Sequence, residues 1–228
     1  MSWFTNSLQG TIGKKVLMSL TGLFLILFLV VHLAGNLQLV LDDDGEAFNI
    51  YAANMANNPL IKVISYGNFF FILLHIIDGI ALTIQNRKAR NVRYKVPTKD
   101  SKSSWASRNM ALLGIITMIF ILAHLKGFWY EFKFGNIPMA TYDGMEYKDV
   151  YKIVDAAYSD IAISGFYVIC MIFLAFHLSH GFSSAFQSLG LNHKKYTPLI
   201  EKLGLGYSVL IPLGFALIPI MLYLGIKL

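Results

Sequence analysis

The chain has a single cysteine, Cys170, in 228 residues. That excludes a disulfide framework, a thiolate-held iron–sulfur cluster and a cysteine-rich zinc site. Charge is also scarce: Asp, Glu, Lys and Arg make up 14% of the residues, against roughly 25% in soluble domains. There is no basic patch with interleaved aromatics, which argues against a nucleic-acid partner. No run alternates apolar and polar residues in the manner of a membrane barrel.

Hydrophobic residues are plentiful. They make up 56% of the chain, and mean hydropathy is +0.56. The charges cluster and leave five apolar runs, at residues 16–41, 60–84, 105–130, 161–189 and 203–226. Each is long enough to cross about 30 Å of hydrocarbon, which takes about 20 helical residues. In lipid the backbone must satisfy itself, so the runs predict helices. The expected fold is an all-α integral membrane protein, a five-transmembrane-helix bundle forming one domain over 1–228. The first run exceeds the length of a signal-peptide core and no small-x-small cleavage site follows it, so the mature chain is expected to start near Met1.

Basic residues set the expected orientation. With five spans, the N-terminus, second connection and fourth connection share a side. They hold Lys14, Lys15, Arg87, Lys88, Arg90, Arg93, Lys95, Lys99, Lys102, Arg108, Lys194, Lys195 and Lys202, which is 13 of the 19 Lys and Arg. The other side has six, diluted by acids such as Asp42, Asp43, Asp44, Glu46, Glu131 and Asp149. The positive-inside rule then places the N-terminus in the cytoplasm and the C-terminus outside. The net charge of +6 is read as topology. On the outer side, residues 47–53 predict a short helix lying along the interface. Residues 133–160 form the longest loop, with turns marked by Gly135, Pro138 and Gly144. The connection 87–104 is basic, and Pro97 argues against helix throughout.

Of six histidines, five fall within the runs: His32, His75, His124, His177 and His180. The first three spans carry one each, the fourth carries two and the fifth none. Ionisable residues at membrane depth are costly and point to function, although a lone histidine can simply hydrogen-bond across a helix interface. At 1.5 Å per residue, His32 lies about 15 Å and His124 about 10 Å below the outer edge, whereas His75 and His177 are each about 25 Å deep. Two histidines at equal depth on two helices suit a bis-histidine metalloporphyrin in a bundle core. Glycines one turn on (Gly35, Gly127, Gly79 and Gly181) leave room for a flat ring, though glycine is also a common packing residue in membrane helices. Zinc or a di-iron centre would want Cys, Asp or Glu at the same depth. The only carboxylate inside a run is Asp78. With one cysteine, any haem would be bound noncovalently.

Ser19-Leu-Thr-Gly22 before His32, then His75, then Ser107-Arg-Asn-Met110 leading to His124, then His177-Leu-Ser-His-Gly-Phe-Ser-Ser-Ala-Phe186 together resemble the b558-type cytochrome b subunit of succinate dehydrogenases and fumarate reductases. Phe48-Asn49-Ile-Tyr51-Ala52 is similar to that family too, and the likeness covers nearly the whole chain. It implies two haems b, one on His32 and His124 near the outer face and one on His75 and His177 near the cytoplasm, with His180 a rival to His177. Ser19 and Arg108 would stand near haem propionates, with a snorkelling Arg as the plain alternative for the latter. The resemblance further implies electron relay between a flavoprotein and iron–sulfur pair docked on the cytoplasmic face and a membrane quinone, menaquinone, in a bacterial inner membrane. A quinone pocket is expected near the outer haem, bordered by helices one to three, with Asn36, Gln38, Lys126 and Glu131 as candidate polar groups. Asp78 is either a proton relay or a paired structural carboxylate. Two other readings stay open: a cytochrome b of a hydrogenase or formate dehydrogenase, and a haem-free transporter. Pro212 and Pro219 are expected to kink a lipid-facing fifth helix.

Overall fold

In a computed structural model, residues 10–89 and 104–228 are described. Arg90, Arg93, Lys95, Pro97, Lys99 and Lys102, with most of the expected 87–104 connection, lie outside them. Among the described residues the chain is almost wholly helical. Helix α1 (Thr11–Asn36) continues into a 3₁₀ turn, Leu37–Val40; α2 is Glu46–Asn57 and α3 is Pro59–Lys88. A short α4 (Trp105–Arg108) precedes α5 (Met110–His124), which runs through a π-helical turn, Leu125–Tyr130, into α6 (Glu131–Phe134). After a hairpin, β1 (Met139–Tyr142) and β2 (Met145–Lys148), come α7 (Val150–Tyr158), α8 (Ile161–Ser188) and α9 (Thr197–Leu224).

Five stretches are long and apolar enough to cross a membrane: Thr11–Val40, Pro59–Lys88, Met110–Phe134, Ile161–Ser188 and Thr197–Leu224. They match the five expected runs but extend further at several ends. The reason is local chemistry at each terminus. Asn58 Oδ1 accepts from Leu60 N at 2.9 Å and Ile61 N at 3.3 Å, with Pro59 in the first turn, and Arg87 and Lys88 sit in the last turn, where cations suit the helix dipole. Asp160 caps α8 by accepting from Ala162 N at 2.7 Å. Gly225 (φ 65°) closes α9, with Ile226 N donating to Met221 O at 2.8 Å.

Helices α8 and α9 form the best-buried pair. A Cβ on Gly204 would stand 2.7 Å from the Phe182 ring and one on Gly214 2.8 Å from Leu33, so these glycines permit close helix approach. Pro212 and Pro219 both lie inside α9, which continues through them, and both are buried, so their rings face the bundle while residues such as Leu205, Val209 and Leu213 are exposed. Tyr207 on α9 donates its hydroxyl to Ile26 O on α1 at 2.6 Å. By contrast, the spans beginning at Thr11, Pro59 and Met110 are only 11%, 6% and 6% buried in their apolar windows, against 33% and 28% for the last two.

The segment expected as a loop holds a β-hairpin. Asp143 (φ 49°) and Gly144 (φ 79°) form its two-residue turn, and both positive φ values match a type I′ geometry. The hairpin, α2 and α7 build a cap over one end of the bundle. Asn49, only 1% exposed, joins all three: its amide Nδ2 donates to Tyr142 Oη (2.9 Å) and Asp149 Oδ1 (3.0 Å), and its Oδ1 accepts from Tyr151 N (2.9 Å). The last residues lie against this end too, with Leu228 N donating to Val40 O and Asp42 N to Leu228 O. Lys227 reaches Asp44 Oδ1 at 3.2 Å.

Candidate functional site: two histidine pairs inside the bundle

Four of the five span histidines meet in two pairs. The rings of His32 (α1) and His124 (α5) have centroids 5.7 Å apart and planes at 88°. Those of His75 (α3) and His177 (α8) are 6.4 Å apart at 64°. This is the pairing that helical depth alone predicts. His180 lies half-buried one turn beyond His177, and the ring facing His75 is that of His177.

The four rings differ in what meets Nδ1. His75 Nδ1 is 3.1 Å from Thr21 Oγ1. That hydroxyl is within donating distance of the backbone carbonyls of Leu17 (2.9 Å) and Met18 (3.1 Å). With its proton so committed, Thr21 accepts from Nδ1–H of His75 and leaves Nε2 with its lone pair. His32 Nδ1 lies 3.3 Å from Asn36 Nδ2, an amide donor that also reaches His32 O at 2.7 Å, so at this ring Nδ1 is the acceptor. Nδ1 of His124 and of His177 are both sealed from solvent and meet no hydrogen-bonding group among the described residues. Only His75 thus has an acceptor at Nδ1; Nδ1 of His32 faces a donor, and those of His124 and His177 are buried without a partner among the described residues.

Surroundings differ between the levels. Around the His32–His124 pair, on the side of the cap, stand aromatic rings: Phe28 stacked on His32 (5.1 Å, 16°), Phe215 (5.6 Å from His32), and Phe128 and Phe120 (5.5 and 5.8 Å from His124). Tyr167 is 6.1 Å from His124. At the inner pair small residues take that place. A Cβ on Gly22 would stand 3.4 Å from His75 Cε1 and one on Gly114 4.0 Å from His177 Cε1. Of the glycines following the histidines, Gly127 and Gly181 face open space and Gly79 meets only Met18, whereas Gly35 is filled by Tyr51 of α2, 2.5 Å from a would-be Cβ. Gly35 therefore seats the cap rather than a flat ring.

Ser19 is 4% exposed and donates its hydroxyl to Lys15 O at 2.8 Å. Arg108 is exposed at the end of α4, at the same end of the bundle. Lys126 and Glu131 pair with each other at 3.3 Å, and Lys126 Nζ lies 3.9 Å over the Tyr130 ring, so each has a partner within the protein. Gln38 sits in the 3₁₀ turn. An apolar groove of about 350 Å³ opens beside His124, lined by Ala123, Gly127, Phe128, Ala157, Phe166 and Tyr167. It lies between α5, α7 and α8, not among the first three spans where a pocket is expected.

The sequence reading singled out neither Thr21 nor Tyr167. Thr21 sits inside the Ser19–Gly22 motif eleven residues before His32, and the usable signal was a hydroxyl at the depth of His75 on the neighbouring helix. Just outside the spans, burial and the neighbouring Tyr167 hold the Tyr158 phenol well above its usual range, keeping it neutral at the cap–bundle boundary.

The donor set suits a bis-imidazole haem. Two imidazoles bonded to one metal from opposite sides, at about 2 Å per metal–nitrogen bond, hold their ring centres roughly 6 Å apart, close to both observed separations. Gly22 and Gly114 leave space beside the His75–His177 pair. Compared with known protein families, curated proteins and solved structures, the chain finds no match.

Proposed function

We propose that the chain is the dihaem cytochrome b membrane-anchor subunit of a succinate:quinone or quinol:fumarate oxidoreductase, passing electrons between an iron–sulfur partner and a membrane quinone. The observation that carries this reading is the set of four imidazoles on four helices, paired at two depths with ring centroids 5.7 and 6.4 Å apart. His32 and His124 would hold one haem b, and His75 and His177 the other. Bound haem iron supplies reversible one-electron chemistry. The residues of this chain supply position and environment. Thr21 orients His75, Phe28 and Phe215 pack His32, and the apolar span interiors exclude water. Ser19, with its proton given to Lys15 O, offers a lone pair rather than a donor, so Arg108 is the better candidate for a propionate. The groove beside His124 has almost no polar lining; it suits the isoprenoid tail of a quinone, menaquinone on the family likeness, better than the head group. The basic ends of the spans suit the docking of the flavoprotein and iron–sulfur subunits on the cytoplasmic side of a bacterial inner membrane.

The test is a dithionite-reduced minus oxidised spectrum with haem quantification on the purified chain and on His32→Ala and His75→Ala variants. Two b haems per chain, with each substitution removing a different one, is the expected result. No haem sinks the cytochrome reading, and one haem per chain breaks the pairing. Co-purification with a succinate-oxidising partner separates this reading from a hydrogenase or formate dehydrogenase cytochrome.

A further inference from the structure

Five buried side-chain polar atoms meet no hydrogen-bonding group among the described residues, and three of them lie on α3: Asn68 Oδ1, Asp78 Oδ2 and Gln85 Oε1. With His75 they fall within an arc of about 100° on one side of that helix. Asn68 is 8% exposed and Asp78 is 7% exposed. A buried carboxylate is normally paired, yet among the described residues nothing donates to Asp78 Oδ2. Its backbone neighbour Gly79 packs on Met18 of α1. Asp78 follows His75 by one turn, about 4.5 Å of helix rise, and Gln85 is about 10 Å nearer the basic end of the bundle.

Resting on the cytochrome reading above, we propose that Asp78 is a redox-linked protonation site. When the iron held by His75 and His177 gains one electron, the Asp78 carboxylate takes up one proton from the basic end of the bundle; it releases that proton when the electron leaves. Charge balances, since one electron enters from the reductant and one proton converts the carboxylate to the carboxylic acid. The drive is electrostatic: in a poorly screened interior an added electron one turn from a carboxylate favours the neutral acid. Other titratable groups on these helices are Lys14, Lys15 and His32 on α1, Lys62, Tyr66, His75, Arg87 and Lys88 on α3, Tyr167, Cys170, His180 and His177, 6.4 Å from His75, on α8, and His124 on α5. Gln85 supplies a polar foothold for water between Asp78 and the aqueous end, and Asn68 continues the polar side toward the outer level.

The test is a potentiometric titration of the haem-loaded chain at several pH values, following the haem that His75→Ala removes. Its midpoint potential should fall with rising pH by up to about 59 mV per unit, the one-electron, one-proton value. Asp78→Asn should flatten that slope and leave the outer haem unchanged, while Asp78→Glu should retain it. A second readout needs no substitution: the reduced-minus-oxidised infrared spectrum of the wild type should gain a protonated-carboxyl C=O band. A pH-independent potential, a slope that survives in Asp78→Asn, or no carboxyl band overturns the proposal while leaving the cytochrome reading intact. A chain that binds no haem overturns the cytochrome reading instead.

Discussion

At the scale of single residues, the Thr21 hydroxyl acts in two directions. It gives its proton to its own helix and receives one from His75. Orienting partners of this kind typically change metal affinity by 10- to 100-fold. On the cytochrome reading, Thr21→Val should therefore weaken haem binding at the His75 level by about 1–3 kcal/mol. Thr21→Ser should restore it, as read by haem titration into the apoprotein with the outer level as internal control. Lys227 gives a pH-dependent case. Its hydrogen bond to Asp44 is the main cause that raises its ammonium above the ordinary lysine range, so the tether is fully formed at neutral pH and is lost as pH rises through that raised value. Asp44→Asn should lower the thermal midpoint slightly at pH 7, and the gap from wild type should close in strong alkali. The histidines themselves were legible in the sequence because intramembrane titratable groups are rare. Thr21 was not, because a hydroxyl in an apolar run is ordinary and only the neighbouring helix gives it a purpose.

Among the elements, the cap depends on Asn49 and on the absence of a side chain at Gly35. Asn49→Ala strands Tyr151 N and frees Tyr142 and Asp149 together, a loss of about 2–4 kcal/mol. Limited proteolysis should then cut within 139–148 far sooner than in the wild type. Gly35→Ala drives a methyl into the Tyr51 ring and should cost about 1–3 kcal/mol by overpacking. Tyr51→Ala in the same chain should recover most of that in detergent melts, a coupling that an isolated helix effect would not produce. The spans could be read from composition because lipid leaves the backbone few options. The hairpin was passed over although Tyr142-Asp-Gly-Met145 carries its turn signal: the flanking strands are only four residues each, and a two-stranded ribbon is stable only when packed on something, here α2. For the prolines of α9, sequence gives the position along the helix but not the buried face they occupy.

Taken whole, the molecule is unevenly filled, with α8 and α9 well packed and the first three spans far less so. If cofactors occupy the interior, stability is linked to loading by mass action. Protein expressed under haem limitation should show spans one to three cleaved or exchanging hydrogen early, while α8–α9 stays protected; equal protection in both states would contradict this. The membrane-crossing arrangement has its own check, because impermeant thiol labelling of Asp143→Cys and Lys194→Cys should report opposite faces. One further consequence belongs to the π turn at Leu125–Tyr130. Such a turn takes up one more residue than the α-helix on either side, and each residue advances a helix by about 100°. The turn therefore works as a phase shift, letting His124 look inward while the segment after it is indexed independently toward the hairpin. Removing one residue there would let the turn close to an ordinary α-helical one with the downstream segment kept in place, whereas the same deletion one turn earlier would rotate the hairpin and the cap by about 100° against the bundle.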